Sequence, residues 1–431
     1  MNKSHLKIIL FFALAYLTTN FIGLTNILYI FPLIILFSAM KSPILGISLW
    51  IITLPLGTFA DDSIYHLNLG FLNIGLFIKL FFIKRARVKG ALIFFAFSFI
   101  LTMFLSILIN DSFIISNYFL TINSFGMFFL TTIFLINYKD KNIIDYIVLS
   151  FTIAAITMVV FIFRDFNSMI MYDRLAFGGN VRKLANALGL PILLLSAYII
   201  NNNKANIKIL NKRIASILLI IFTTLLVLSA SRGVIFSVSI AIIIYFLLSL
   251  NSKRLLKNTF LYALPGTVIL LMVFQNIDFG FQFQLDRILE LTSNNRSLIW
   301  SSTIKEFFNS NLFIILFGSG FGNFRLIAMD AYGVNTYAHS VFFDTLVSLG
   351  IVGFVILISF FILMVTKCIK TGNKLAFMIL IYTILSFATH GQVHNVLFWL
   401  NVAIIYSLTN MNNLQGHSKL IRIDNNNEVR K

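Results

Sequence analysis

The chain has 431 residues, 59% of them hydrophobic and only 11% charged, with 48 phenylalanines and a mean hydropathy of +0.92. Soluble domains run about 45–50% apolar and about 25% charged, so an ordinary soluble enzyme is excluded, and disorder, which needs low hydrophobicity, goes with it. The net charge of +18, from 33 Lys and Arg against 15 Asp and Glu, would suggest nucleic acid in a soluble protein, but in a membrane protein it is first a question of loop orientation.

The apolar runs are long and continuous rather than alternating, which points to an all-α polytopic membrane protein and away from a β-barrel. Spans of about 17–25 apolar residues fall at 6–23, 26–40, 43–59, 69–83, 91–109, 118–137, 143–163, 185–200, 214–230, 233–250, 258–275, 341–365, 375–390 and 394–410. The second, fourth and eighth are short enough to be tilted or re-entrant, so about 12–14 transmembrane helices are expected. The N-terminus resembles a signal peptide, with Ala13-Leu14-Ala15 mimicking a cleavage site, but is read as an uncleaved first span because hydrophobic spans follow it directly. The single cysteine, Cys368, excludes an intramolecular disulfide and a CxxC motif.

Charge fixes the orientation. With the N-terminus inside, 24 of the 33 basic residues lie in or beside inner segments and nine lie outside. Acids run the other way: Asp140, Asp145, Asp424 and Glu428 are inside and the remaining eleven outside. Both termini are therefore expected in the cytoplasm. The organisation that follows is N-terminal helices over 1–163, an outer basic loop at 164–184, helices over 185–275 with an outer Ser-Arg-Gly turn, a large periplasmic loop at 276–340, C-terminal helices over 341–410, and a cytoplasmic tail at 411–431.

The outer basic residues are the ones the positive-inside rule disfavours: Arg164, Arg174, Arg182, Lys183, Arg232, Arg287, Arg296, Lys305 and Arg325. Their concentration in two long loops suggests an anion site at the outer face. Arg232 is the sharpest of them. The stretch 214–250 is otherwise uncharged, and 37 residues of helix would measure about 55 Å, too long for one span. The chain must turn at Ser229-Ala230-Ser231-Arg232-Gly233. Ser231 is a plausible cap of the next helix, whose N-terminus favours phosphate, and Arg232 adds a bidentate fork for phosphate oxygens. The alternative is a snorkelling arginine that anchors the turn.

His339, in Tyr337-Ala338-His339-Ser340, stands where the large loop enters the span at 341. With Ser340 capping that helix, the helix N-terminus favours the neutral ring, and a neutral histidine at the outer face is suited to general-base work. Asp344, one turn on, is placed to orient or bind polar groups, or to serve as a paired structural acid. Arg296 opens an amphipathic run, and Asp173-Arg174 and Arg182-Lys183 flank Gly178-Gly179-Asn180 in the shorter loop. Gly318-Ser319-Gly320-Phe321-Gly322 lacks the βαβ context of a nucleotide loop and reads as a turn packing on the membrane face. His390 and His394 have the spacing of a helical metal pair without a clear acidic third ligand. No Walker A, DxD-type or nucleophile-elbow motif is present, so a sugar transferred at the outer face would come on a lipid.

In order along the chain, Asp173-Arg174-Leu175-Ala176-Phe177-Gly178, the Ser229–Gly233 turn, Arg296 with Trp300, Leu316 through Phe324, and Tyr337-Ala338-His339-Ser340 through Leu349-Gly350-Ile351-Val352-Gly353 resemble the O-antigen ligase and polysaccharide polymerase superfamily of bacterial inner membranes. That family often has His-Asn where this chain has His339-Ser340. The resemblance implies a C-type glycosyltransferase-like fold that moves a glycan from undecaprenyl pyrophosphate to an acceptor hydroxyl, without metal or other cofactor, at the periplasmic face. By position Arg232 and Arg296 would hold the pyrophosphate, Arg174 would assist, and His339 would be the base; Arg182, Ser231, Tyr337, Ser340 and Asp344 complete the candidate substrate-binding set. The implied partners are the lipid-linked oligosaccharide, the bilayer and a chain-length regulator protein, with no nucleic acid. The Ser-Arg-Gly turn and the glycine-rich stretch resemble polymerase-like members. A ligase is the alternative, and a polysaccharide-lipid transporter the second, although a transporter would carry its charges near mid-span.

Overall fold

A computed structural model describes residues 3–23, 25–60, 62–82, 88–109, 115–137, 143–164, 170–171, 174–175, 181–200, 211–249, 296–389 and 391–410. The expected span at 258–275, His390, and the basic residue Arg287 lie outside them. Among the described residues the regular secondary structure is helical apart from one pair of two-residue strands. In chain order the helices are α1 (Lys3–Ile22), α2 (Thr25–Leu28), α3 (Ile30–Lys41), α4 (Pro43–Ala60), α5 (Asp62–Phe81), α6 (Gly90–Ile109), α7 (Ile115–Asn137), α8 (Ile143–Arg164), α9 (Val181–Ile200), α10 (Lys212–Leu228), α11 (Arg232–Ser249), α12 (Arg296–Phe308), α13 (Leu312–Phe317), α14 (Phe324–Tyr332), α15 (Val341–Thr371), α16 (Lys374–Thr389) and α17 (Val396–Asn410). Strands β1 (Ile170–Met171) and β2 (Arg174–Leu175) form an antiparallel hairpin between α8 and α9.

This is an all-α polytopic membrane protein. Seven helices are long and apolar enough to cross a membrane by length and composition: α1, α5 from Ile64, α6, α7 from Ser116, α8, α11 and α15. Five more, Asn26–Lys41, Pro43–Leu54, Leu184–Ile200, α16 and α17, are apolar but shorter. The large outer loop is not featureless: its described part, 296–340, contains α12, α13 and α14.

Two departures from the expected spans have physical reasons. Helix α5 starts at Asp62 rather than near 69, because its first turns carry polar residues that hydropathy discounts but packing accepts. Asn68 is fully buried there. The second is α15, whose 31 residues would measure about 46 Å against a hydrocarbon core of about 30 Å. The excess is resolved by a break at Gly350, at φ 69° and ψ −173°. The part after the break has the length of one span, and Val341–Leu349 becomes a separate segment ahead of it.

Aromatic packing joins the spans that carry this broken helix. Phe95 of α6 stacks on Phe360 of α15 at 3.9 Å between centroids, and Phe99, Phe125 and Phe128 surround Trp399 of α17 at 5.0–5.4 Å. Such ring pairs add about 0.5–1.5 kcal/mol each beyond area burial, and they account for part of the phenylalanine content in a core where lipid supplies no competing hydrophobic drive.

Candidate functional site

The site is assembled where the ends of α11, α15 and α16 meet the described part of the loop, 296–340. The chain reverses between α10 and α11 at Ser229-Ala230-Ser231. Ala230 takes a left-handed conformation, φ 47°, and its N–H donates to the Val227 carbonyl at 2.8 Å, closing α10 as a left-handed C-terminal cap does. A non-glycine residue in that region costs about 1–2 kcal/mol. Ser231 does not cap α11 with its side chain. Its carbonyl accepts from Val234 and Ile235 N–H at 3.1 and 3.0 Å, while its hydroxyl is buried with no hydrogen-bond partner among the described residues. Arg232 is the first residue of α11.

Arg296 is the first described residue of α12. Its Nη1 donates to the Thr389 carbonyl at the end of α16, 3.2 Å away. Helix α11 packs along α16, which brings Arg232 to the same region. Burial holds the Arg296 guanidinium below the usual arginine value, and the neighbouring charge of Arg232 lowers it further. Cations are unfavourable at helix N-termini, and an anion there is favoured. Two neighbouring arginines, one of them opening α11, therefore form a region whose electrostatics improve when a doubly charged anion enters.

Helix α12 links this region to the histidine. Trp300 lies one turn beyond Arg296, on the same side of the helix, and its indole N–H donates to the Ala338 carbonyl at 2.7 Å. Its ring also meets Phe343 at 4.7 Å. Ala338 is buried and His339, the next residue, is half-buried with φ 49°. Left-handed backbone in a non-glycine residue persists only where its surroundings fix it. Here Trp300 holds the preceding peptide, and Ser340 anchors the following one by accepting from Phe343 N–H at 3.5 Å. Tyr337 faces the histidine with ring centroids 6.5 Å apart, and its hydroxyl accepts from Arg325 Nη1 at 3.4 Å, the guanidinium lying 5.7 Å from the ring centre.

The remaining candidates fall into two groups. Asp344 is buried, and one carboxylate oxygen accepts from Val393 N–H at 2.8 Å while the other accepts from the Ser348 hydroxyl at 3.5 Å. It fastens the start of α15 to the turn between α16 and α17. Arg182 is in the first turn of α9, a helix packed on both α11 and α16, and Arg174 is in β2. The roles of Trp300, Thr389 and Arg325 were missed. Trp300 was marked in the sequence by the family resemblance and by its four-residue spacing from Arg296, but not its bond to Ala338; the contact of Thr389 with Arg296 joins distant segments and leaves no local trace.

The glycine-rich stretch is a turn that docks on the broken helix. Without Gly350's continuation of the helix, carbonyls ahead of it need donors. Ser319 N–H donates to Val347 O at 2.8 Å and Gly320 N–H to Ser348 O at 3.1 Å. Ser106 Oγ of α6 also donates to Ser348 O, at 2.9 Å. Gly318, at φ 90°, lies so close that an added Cβ would overlap the Ser348 backbone, and one on Gly350 would overlap Leu316. Phe321 is buried edge-on against Tyr118 of α7 at 4.9 Å.

Comparison with known families bears on the same residues. The family model described as O-antigen ligase matches residues 217–358, a stretch that includes Arg232, Arg296, Trp300, the glycine-rich loop and His339 and begins after Arg174 and Arg182. No curated protein matches the chain. Over residues 217–358 this membrane protein is similar to the O-antigen ligase family, which supports the resemblance to the O-antigen ligase and polymerase superfamily.

Proposed function

We propose that the chain is a polysaccharide polymerase that transfers an undecaprenyl-pyrophosphate-linked glycan to the next lipid-linked repeat unit at the periplasmic face of the bacterial inner membrane. The observation that carries this reading is the pairing of Arg232, at the start of α11, with Arg296, and α12 joining them through Trp300 to the residue before His339. In the reaction the acceptor hydroxyl oxygen bonds to the anomeric carbon as that carbon's bond to the pyrophosphate breaks. His339 takes the hydroxyl proton, and the departing pyrophosphate keeps the electron pair beside Arg232 and Arg296. Charge develops on the leaving group, and preorganised donors aimed at such charge are worth about 10²–10³ in rate each, so the arginines supply a stabilisation that needs no metal. The substrate-contact roles of Arg174, Arg182, Tyr337 and Ser340 belong to the same proposal; Ser231 contributes its buried hydroxyl.

The description of the matching family favours a second reading, a ligase that transfers finished polymer to lipid A–core. The glycine-rich loop does not separate the two, because its contacts explain it as a packing element. Lipopolysaccharide banding of a deletion strain does. A polymerase deletion leaves core bearing a single repeat unit; a ligase deletion leaves bare core while lipid-linked polymer accumulates. Unchanged banding would reject both.

A further inference from the structure

Helix α13, Leu312-Phe313-Ile314-Ile315-Leu316-Phe317, sits inside the outer loop yet consists entirely of large apolar residues. Its later residues pack inward against α6 and α15, and the chain then enters the glycine-rich dock. Its first two residues do not: Leu312 and Phe313 are 65% and 64% exposed. Two such side chains in water at the tip of a periplasmic loop would be unfavourable, since each forgoes about 1.5–3 kcal/mol of burial.

The level of α13 along the bundle is set by its neighbours. The hydrogen bond from Ser106 to Ser348 and the dock at Gly350 place it beside the last turn of α6 and the break in α15. Those are the points where the two spans reach their outer ends. On α6 the residues nearest that end, Phe104 and Leu108, are 55% and 66% exposed; on a spanning helix such residues face lipid. The exposed end of α13 therefore continues a lipid-facing surface. Phe308, exposed at the end of α12, extends it, and Lys305, one turn earlier, is exposed and suited to reach headgroup phosphates.

We infer that α13 is an interfacial anchor whose Leu312 and Phe313 are immersed in the acyl chains of the outer leaflet, holding the outer loop against the membrane surface. Short apolar segments of this kind settle about 5–10 Å into the headgroup–acyl boundary. The occupant is bilayer hydrocarbon rather than another protein, because the surface it continues is that of a spanning helix. The inference is independent of which glycan reaction the site performs.

The test uses the full chain in liposomes with Cys368→Ser, a site that is buried and single, and one spin label at a time at Phe313→Cys, Leu312→Cys or Asn335→Cys. Asn335 is exposed in the same loop and serves as the water-facing position. Collision with molecular oxygen, which concentrates in lipid, is compared with collision with a water-soluble nickel chelate. At 312 and 313 the oxygen-to-nickel ratio should exceed that at 335 by about tenfold or more. Equal ratios at all three positions would overturn the inference. Should one label disturb folding, the second position on α13 still decides; a further chain, Phe313→Trp, should be quenched by lipids brominated on their acyl chains, and an unquenched tryptophan counts against the anchor.

Discussion

Arg232 and His339 carry the sharpest demands at the scale of single residues. Arg232→Ala and His339→Ala should abolish polymer synthesis while membrane insertion is unchanged, read as lost chain-length ladders with normal protein in the membrane fraction. Arg232→Lys should fail as well, since an ammonium cannot present a two-pronged fork; a near-normal ladder would reduce Arg232 to a charge anchor. Trp300→Phe keeps the ring that meets Phe343 but removes the N–H that holds the Ala338 carbonyl. Leaving a buried carbonyl unsatisfied costs about 1–3 kcal/mol, so activity should fall roughly 5–100-fold through loss of His339's geometry. Equal activity would show that the left-handed backbone at 339 is fixed by other contacts. His394, in the turn before α17, adds a pH dependence. Burial and the neighbouring His66 push its pKa down to about 4. The folded protein thus holds the ring neutral where the unfolded chain would protonate it. Stability from that source is complete above about pH 6.5 and is lost as pH falls towards 4, at most about 1.4 kcal/mol per pH unit. The melting temperature in detergent should drop between pH 7 and 5, and His394→Gln should flatten that drop.

Elements explain why the outer loop has a fixed shape. The dock between the glycine-rich stretch and α15 depends on two glycines that meet backbone to backbone, Gly318 at φ 90° and Gly350 at φ 69°. Alanine at either position faces left-handed strain of about 1–2 kcal/mol as well as direct overlap. Gly318→Ala and Gly350→Ala should lower the melting temperature and displace the loop that bears Arg296 and His339, so activity should fall together with stability. Gly333→Ala, also at positive φ but with open space around it, should show the strain alone and a smaller loss; equal losses at all three sites would argue against the dock. This scale also marks what sequence patterns reveal. The helices around α6, α8 and α11 were readable because lipid-facing and core-facing residues are both apolar, which leaves long uninterrupted runs. The break in α15 was not, since Gly350 stands in an apolar run like many other membrane glycines, and only the close approach of Leu316 gives it a role. The dock at Ser319 was likewise hidden, because its donors are backbone N–H groups that any sequence possesses.

Across the whole molecule the charge pattern predicts an orientation. Reporter fusions after 205 and after 415 should be active in the cytoplasm, and an insertion near 290 active only outside; cytoplasmic activity at 290 would invert the periplasmic assignment of the site. Here too the legible and the illegible separate on physical grounds. Arg232 and His339 stood out because charge and imidazole are expensive beside hydrocarbon. That Arg232 and Arg296 lie together was suggested only by the family resemblance; its physical cause, α11 packing along α16 and the Thr389 carbonyl, joins segments far apart in the chain and leaves no local trace.

The break at Gly350 also bears on how the protein is made. The contacts it creates join Ser319 to Val347, 28 residues apart, a short loop by the standards of chain closure. The loop and the outer segment of α15 can pair as soon as that segment has been synthesised, before α16 and α17 exist. Contacts of low sequence separation are cheap to close, so the platform for His339 is expected to form before the Thr389 carbonyl that receives Arg296 arrives, and a chain truncated after 372 should still protect the 319–347 contact from proteolysis. Assembly of the site is in this sense ordered, with the C-terminal helices as its last step.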